Sequence, residues 1–557
     1  MYASLYNVLL TVAAIHVCKT LSSPTIKYAS SDDRPIIDLG YSLHRADPPE
    51  FNDTTYSFSS IRYADANRFS QATYPPHVDR SEVINGTGKS ICPQAYPAWQ
   101  FSAAEFMSGV NLSNFTSEQL LNVSLVPPVE YTSEDCLHLD VQVPKAAFDQ
   151  RKIADSRTLL PIVVWIHGGG YVQGHKSEYG DGSGLITRAK EIGGDGVMWV
   201  AINYRLGMFG WLSAGDDVLT QGATRNAGLL DQLTAIRWVK DYAHLFGGDA
   251  SRITVLSESA GAGSTLIHLV ASLHHGISPP FHRAILQSPY PGLLPSTQSQ
   301  TLTYHQILRA ANVSHLEELK QLSSHKLQDL NAAIVASSPY GSFTFTPVMD
   351  PATFPSPVSE MLSRPKGAFP LMVGTNSREG LLFTTPNSVD EHSYLSALSS
   401  LVPNFSPGDL VNLTNKAYPS TAYNSQVNRL EATLADLLIR CNAQHALRAF
   451  PDSSYAYQYS VPSGVHSADL HYTFFNGDVD DLPQKNVTVA KALQGYIANF
   501  ALGGSPQAAV AGVSELTTFA DGVGVNINVT GITQQQPNWP ELAKCDVLQD
   551  ILDGAFA

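Results

Sequence analysis

The stretch that most limits what this chain can become is Ile253-Thr254-Val255-Leu256-Ser257-Glu258-Ser259-Ala260-Gly261-Ala262-Gly263-Ser264. An apolar, β-branched run ends at a small residue, and a helix-competent segment from Ser264 to Val270 follows. The pattern reads as strand, sharp turn, helix, with Ser259 at the apex. Such a turn closes only when the residues two before and two after the serine carry almost no side chain. Gly261 meets that demand. Ser257 stands where glycine is usual and adds a Cβ and a hydroxyl at the closest approach. The expectation is an elbow that still closes, with a slightly altered serine pose. Unpaired amides and the helix dipole at the start of the helix would face negative charge developing beside Ser259. An ordinary Ser/Gly loop would look similar in isolation, so the rest of the chain has to decide.

Leu159 to Ile166 is a continuous apolar run, which suits a strand buried on both faces of a mainly parallel sheet. It ends in His167-Gly168-Gly169-Gly170-Tyr171. Val197 to Tyr204 is a second such run. From Gly228 to His244 the apolar positions Leu229, Leu233, Ile236, Val239 and Tyr242 fall on one helical face. Further strands are expected over Tyr56–Ala64, Arg283–Ser288, Phe369–Gly374 and Tyr455–Tyr459, and a helix over Ala492–Leu502. Residues 295–365 and 390–450 read as mostly helical insertions. Strands and helices alternate, so the class is α/β. No internal repeat and no Gly/Ser linker divides the chain.

A serine hydroxyl is a poor nucleophile; it needs a base, and the base needs an orienting acid. Ser259, Glu379 and His466 come in the order serine, acid, histidine, each just after an expected strand. With 18 histidines in the chain, one histidine alone means little. The order and placement of all three carry the argument. An oxyanion needs backbone N–H groups with no side chain in the way, and His167-Gly168-Gly169-Gly170 supplies them after a strand. It fails as a phosphate loop, having neither G-x-x-x-x-G-K-[ST] nor G-x-G-x-x-G before a helix.

Composition sets the outer limits. Hydrophobic residues make up 43% and charged residues 15%, enough for a large core. The net charge of −15, with no basic block or basic amphipathic helix, argues against nucleic acid or an anionic membrane surface as a partner. Leu5 to Cys18 is apolar but too short to span a bilayer, and reads as the core of a signal peptide over residues 1–22. No stable membrane span is expected elsewhere. Residues 23–50 read as a polar, extended N-terminal arm. Ten N-x-[ST] sequons begin at Asn52, Asn85, Asn111, Asn114, Asn122, Asn312, Asn404, Asn412, Asn486 and Asn528, in keeping with a secreted glycoprotein. Of five cysteines, Cys18 lies in the expected leader. Cys92, Cys136, Cys441 and Cys545 remain, which allows two disulfides in any of three connectivities. Without close cysteine pairs no metal site is expected, and no cofactor is implied. The stretch from Cys92 to Cys136 carries Pro93, Pro97, Pro127 and Pro128, three sequons, and aromatic residues that look exposed, Trp99, Phe101 and Phe106. It reads as a surface loop, either a lid or gorge mouth or a glycosylated loop without a catalytic part.

Taken together, these blocks resemble the type-B carboxylesterases, the family that includes cholinesterases and fungal secreted lipases. The matching segments are Glu134–Val141, 167–171, Asn203–Gly207, Gly228–Gln232 with Ala235–Val239, Phe246–Asp249, 257–264, Gly374–Asn376 with Glu379-Gly380, His466–Leu470 and Ala498–Ala501. The resemblance implies an α/β-hydrolase fold: one domain over 23–557, with a mostly parallel sheet flanked by helices and large insertions. It implies Ser259 as nucleophile, Glu379 as acid, His466 as base, and the amides of Gly169, Gly170 and Ala260 as the oxyanion hole. It implies disulfides Cys92–Cys136 and Cys441–Cys545, and an electrostatic role for Glu258. The choline-site tryptophan of cholinesterases has no counterpart before Cys136, so choline esters are not indicated. The expected activity is secreted carboxylic-ester hydrolysis of a small-molecule substrate through an acyl-serine. The alternative is acyl transfer or coupling in secondary metabolism by the same triad. A non-catalytic binding module is the weaker option, because all three triad positions are intact.

Overall fold

The computed structural model describes residues 34–48, 54–86, 90–108, 131–151, 159–214, 222–293, 296–351, 353–363, 367–403, 405–535 and 542–556. The expected leader and the sequons at Asn52, Asn111, Asn114, Asn122 and Asn404 lie outside them.

The strands are β1 (Ile36–Asp38), β2 (Leu43–Arg45), β3 (Thr55–Arg62), β4 (Val83–Asn85), β5 (His138–Pro144), β6 (Leu160–Ile166), β7 (Met198–Ile202), β8 (Gly248–Glu258), β9 (Arg283–Gln287), β10 (Leu371–Asn376), β11 (Ser454–Tyr459), β12 (Gly524–Asn528) and β13 (Gly531–Gln535). Ten of them form one sheet in the order β13-β12-β11-β10-β9-β8-β6-β7-β5-β3. Neighbours from β12 to β7 pair in parallel. The pairs β12–β13, β5–β7 and β3–β5 are antiparallel. Strands β1, β2 and β4 make a separate small sheet. Part of the expected extended arm is therefore folded: Ile36 and Ile37 are buried, and β1 pairs with β2.

The parallel sheet is buried on both faces, which is why its strands are apolar without alternation. Along β6, Ile162, Val164 and Ile166 enter one core layer, while Val163 and Trp165 enter the other. The helices that cover the sheet include α1 (Ser183–Glu191), α2 (Ala227–Tyr242), α3 (Ser259–His274), α4 (Cys441–Ala449) and α5 (Val487–Gly503). Helices α2 and α3 contribute to the first layer, α1 and α5 to the second. The segments expected to be helical insertions are so: 295–365 holds Thr297–Ala311 and Ser324–Ala336, and 390–450 holds Glu391–Leu401, Gln426–Ala435 and α4.

Two disulfides, Cys92–Cys136 and Cys441–Cys545, tie the chain across separations of 44 and 104 residues. The segment after Cys92 corrects one reading. Trp99 is buried, and its indole N–H donates to the Ser342 carbonyl at 2.8 Å, while Phe101 and Phe106 are half-buried. The partners that cover Trp99 are Tyr340, Phe343 and Phe383, all remote in sequence.

The bare position at Gly261 sets how closely α3 approaches β6. A Cβ there would overlap the carbonyl oxygens of Ile166 and His167, which are backbone and cannot swing away. At Gly503, in the last turn of α5, a Cβ meets nothing within 4 Å. Gly261→Ala should therefore lower stability by about 3 kcal/mol or more, whereas Gly503→Ala should be neutral or slightly stabilising. Thermal unfolding of the two variants measures the contrast. Equal midpoints would contradict the close approach.

Candidate active site

Five adjacent strands, β11-β10-β9-β8-β6, end on the same side of the sheet, and the loops leaving them carry the groups of interest. Strand β8 ends at Glu258, and Ser259 begins α3 with φ at +51°. A non-glycine residue in the left-handed region carries a strain of about 1 kcal/mol. Here it turns the hydroxyl out of the strand–helix junction. The atoms that Ser257 adds are absorbed within the core. Its hydroxyl donates to the Ile285 carbonyl at 3.3 Å and accepts from Thr265 Oγ1 at 2.9 Å.

Ser259 Oγ lies 2.9 Å from His466 Nε2, and His466 Nδ1 lies 2.6 Å from Glu379 Oε2. The loops bearing the last two residues are stitched together beyond the strands. Ser377 N–H donates to the Tyr459 carbonyl and Arg378 N–H to the Gly464 carbonyl, each at 2.8 Å. The parallel pairing of β10 and β11 thus continues far enough to bring Glu379 beside His466. The other oxygen of Glu379 accepts from the Asn376 amide at 2.5 Å and the Ser288 hydroxyl at 2.6 Å. Ser288 Oγ accepts from Asn376 Nδ2, and Asn376 Nδ2 also reaches Asp469 Oδ1 at 3.2 Å. Asp469 Oδ2 accepts from the Tyr457 hydroxyl at 2.7 Å and Gln287 Nε2 at 2.8 Å.

This network sets the charges. Burial alone would raise the pKa of Glu379, but the His466 ring and the Asn376 and Ser288 donors hold it below the ordinary carboxylate value. Burial alone would depress His466, yet the Glu379 carboxylate, helped by Glu258 and Asp469, raises it above 6.5. Glu258 is pushed up to about 7 by burial, against the opposing pull of His466 and the Ser467 hydroxyl. Asp469 is also raised by burial, against its donors.

Beside Ser259, the loop after β6 presents backbone rather than side chains. Gly169 and Gly170 take φ of +96° and +60°. A Cβ at Gly169 would overlap the Gln173 carbonyl, and one at Gly170 the Phe343 ring. The Ala260 amide lies in the first turn of α3, where no preceding carbonyl is available to it. Behind the loop, the Tyr204 hydroxyl donates to the His167 carbonyl at 2.9 Å, and Arg205 makes two 2.7 Å bonds to the buried Asp231 carboxylate. Aromatic rings wall the site: Phe383 lies 5.3 Å from the His466 ring, and Phe343 packs between Trp99 and Tyr290.

The structure therefore brings Ser259, Glu379 and His466 into one hydrogen-bonded line, and the loop that carries Gly169 and Gly170 reaches it at Gly168, where a Cβ would overlap Ser259. Sequence reasoning gave no role to Ser288, Asn376, Asp469 or Ser467, and it did not single out Phe343 or Phe383. Asn376 and Asp469 stood in recognisable blocks without a stated part. Ser467 stood in the same block as His466, also without a stated part, while Ser288, Phe343 and Phe383 had no local signal, since their partners lie on different loops.

A sequence model of the carboxylesterase family matches residues 45–548. Carboxylesterase patB of Aspergillus clavatus is 35% identical over 506 residues, spanning 86% of this chain and 89% of that protein. A secreted lipase of Arthroderma benhamiae is 30% identical over 399 residues, spanning 67% and 72%. Among solved structures, EstA of Aspergillus niger superposes with a TM-score of 0.74 at 22% identity, over 94% of this chain and 99% of that one. At that identity the likeness carries the fold alone, and the fold is the α/β-hydrolase.

Glu379→Gln removes the negative charge that raises His466. The imidazolium is then disfavoured, and the pKa of His466 should fall below its value in the unaltered protein. An NMR titration of the His466 ring reads the shift directly. An unchanged value would mean that Glu379 does not govern the ring.

Proposed function

The chain belongs to the carboxylesterase family, and from that membership we propose that it cleaves its ester through an acyl-enzyme formed on Ser259. It is a carboxylic-ester hydrolase acting on small-molecule esters; the assignment of steps to residues is our reading. One observation carries it: the unbroken line Ser259 Oγ, His466, Glu379, with contacts of 2.9 and 2.6 Å, ending beside a loop of bare backbone. Ser259 Oγ attacks the carbonyl carbon while His466 Nε2 takes its proton. Glu379 holds Nδ1–H and stabilises the imidazolium. The amides of Gly169, Gly170 and Ala260 take the oxyanion. His466 then gives its proton to the departing alcohol. In the second half a water gives a proton to His466 as its oxygen adds to the acyl carbon, and His466 returns that proton to Ser259 Oγ as the acid leaves. Phe343 and Phe383 bound the space that the substrate groups occupy. No cofactor or metal enters these steps.

We extend the reading to organisation and location: a leader ending near residue 22, then one catalytic domain over 23–557, exported from the cell. Two disulfides and a secreted fungal relative support export. No described helix is long and apolar enough to cross a membrane. Asn85, Asn312 and Asn412 are exposed sequons. Asn486 and Asn528 are half-buried and hold local turns: Asn486 caps α5 through Val489 N–H, and Asn528 accepts from Thr530.

Ser259→Ala should lower kcat on a p-nitrophenyl ester by on the order of 10⁴. It should also abolish labelling by a fluorophosphonate probe. Retained labelling or rate would remove Ser259 from the mechanism. In protein secreted by a eukaryotic host, site mapping after enzymatic deglycosylation should find glycan at Asn85, Asn312 and Asn412. Bare asparagine at all three would count against the export reading.

A further inference from the structure

Ser467, the residue after the triad histidine, stands in a conformation that a serine rarely adopts. Its φ is +67°, in the left-handed region that favours glycine. The backbone around it is a tight turn, with Ala468 N–H donating to the Val465 carbonyl at 3.0 Å and Leu470 N–H to the Ser467 carbonyl at 3.2 Å. Glycine would make that turn without strain. What serine adds is a hydroxyl, and it donates to Glu258 Oε1 at 2.5 Å. The same Oε1 lies 3.5 Å from His466 Nε2, the nitrogen that faces Ser259. Glu258 is wholly buried, and its other oxygen lies so close to Gly168 that a Cβ there would overlap it. The carboxyl therefore sits between the oxyanion loop, the nucleophile strand and the histidine loop.

We propose that Ser467 is a positioning residue that keeps Glu258 ionised and aimed at His466 Nε2, so that the imidazolium formed during reaction meets a second carboxylate opposite Glu379. The proposal rests on the triad reading given above.

The charged and titratable groups that face Glu258 make its ionisation precarious. His466 favours the carboxylate. Asp469 and Glu379 oppose it by like charge. Tyr179 and Tyr204 also lie within its field, and each is itself raised, first by burial and then by the Glu258 charge. Burial, offset by the His466 charge and by the Ser467 hydrogen bond, leaves Glu258 near 7, so loss of the hydrogen bond moves its titration to higher pH. A donor to a charged acceptor is worth about one pH unit or more in the acceptor's pKa. Removing the hydroxyl lets Glu258 keep its proton to higher pH. Over that interval the imidazolium loses the second carboxylate and the rate falls. Above it Glu258 ionises and the rate recovers.

The test is the pH profile of kcat and kcat/KM, read on a p-nitrophenyl ester for the unaltered enzyme, Ser467→Gly, Ser467→Ala, Glu258→Gln and the Ser467→Gly/Glu258→Gln double variant. Ser467→Gly relieves the backbone strain, so it should fold and melt at or above the unaltered protein. Its acid limb should move up by about one pH unit, with a loss of roughly tenfold below neutrality that closes as pH rises. Ser467→Ala should share the shift. In the Glu258→Gln background, Ser467→Gly should leave the limb where Glu258→Gln puts it. An unmoved limb, a uniform loss at every pH, or an equal shift without Glu258 would each overturn the proposal. An unaltered enzyme that neither hydrolyses the ester nor takes a fluorophosphonate would instead overturn the triad reading.

Discussion

A carboxylate removed from water must be given donors, or it takes up a proton, and Glu379 is completely buried. Everything around it follows from that requirement. One oxygen faces the imidazole and the other takes a backbone amide and a hydroxyl. These donors come from three strand ends: Asn376 closes β10, Ser288 follows β9, and His466 lies beyond β11. A parallel sheet delivers the ends of neighbouring strands side by side, about 5 Å apart. The spacing of the strands is thus the spacing of the network. A single helix or hairpin could not bring the same groups together, because adjacent positions on it do not converge on one point.

The same condition separates what could be read in the sequence from what could not. Ser259 and the glycines after His167 belong to turns whose geometry is local, so neighbouring residues announce them. Glu379 and His466 were legible from chain order and from the apolar runs before them. Ser288 was not, although it touches Glu379, because nothing beside it marks it out. Its meaning depends on β9 lying next to β10. Trp99 failed for the opposite reason. Prolines and sequons around it are genuine surface signals, but the rings that cover it come from residues 340–343 and 383. Burial by distant parts of the chain leaves no trace in a local window.

Ser257 and Ser467 both stand where glycine would be easier, and they differ in a way that matters. Ser257 lies in extended backbone, so its cost is only the room for two atoms. The core supplies that room through Thr265 and the Ile285 carbonyl. Replacing it with glycine would remove two hydrogen bonds inside the core. Ser467 lies at positive φ, where the side chain strains the backbone in every folded molecule. A strain that persists must be held by its surroundings, and here the main-chain bonds of the turn and the bond to Glu258 hold it.

Glu258 joins these lines of argument. It closes the strand that carries the elbow, it crowds the backbone of Gly168 in the oxyanion loop, and it takes the hydroxyl from the histidine loop. Three segments of the site therefore meet on one carboxyl group. An aspartate would fall short of Ser467 by one methylene. The side chain's length is fixed from one end by the oxyanion loop and from the other by the turn after His466. Its charge follows from the balance between burial and the two groups that favour the carboxylate, the His466 ring and the Ser467 hydroxyl. In this site geometry is set by close packing of backbone, whereas ionisation is set by a few hydroxyl and amide hydrogens.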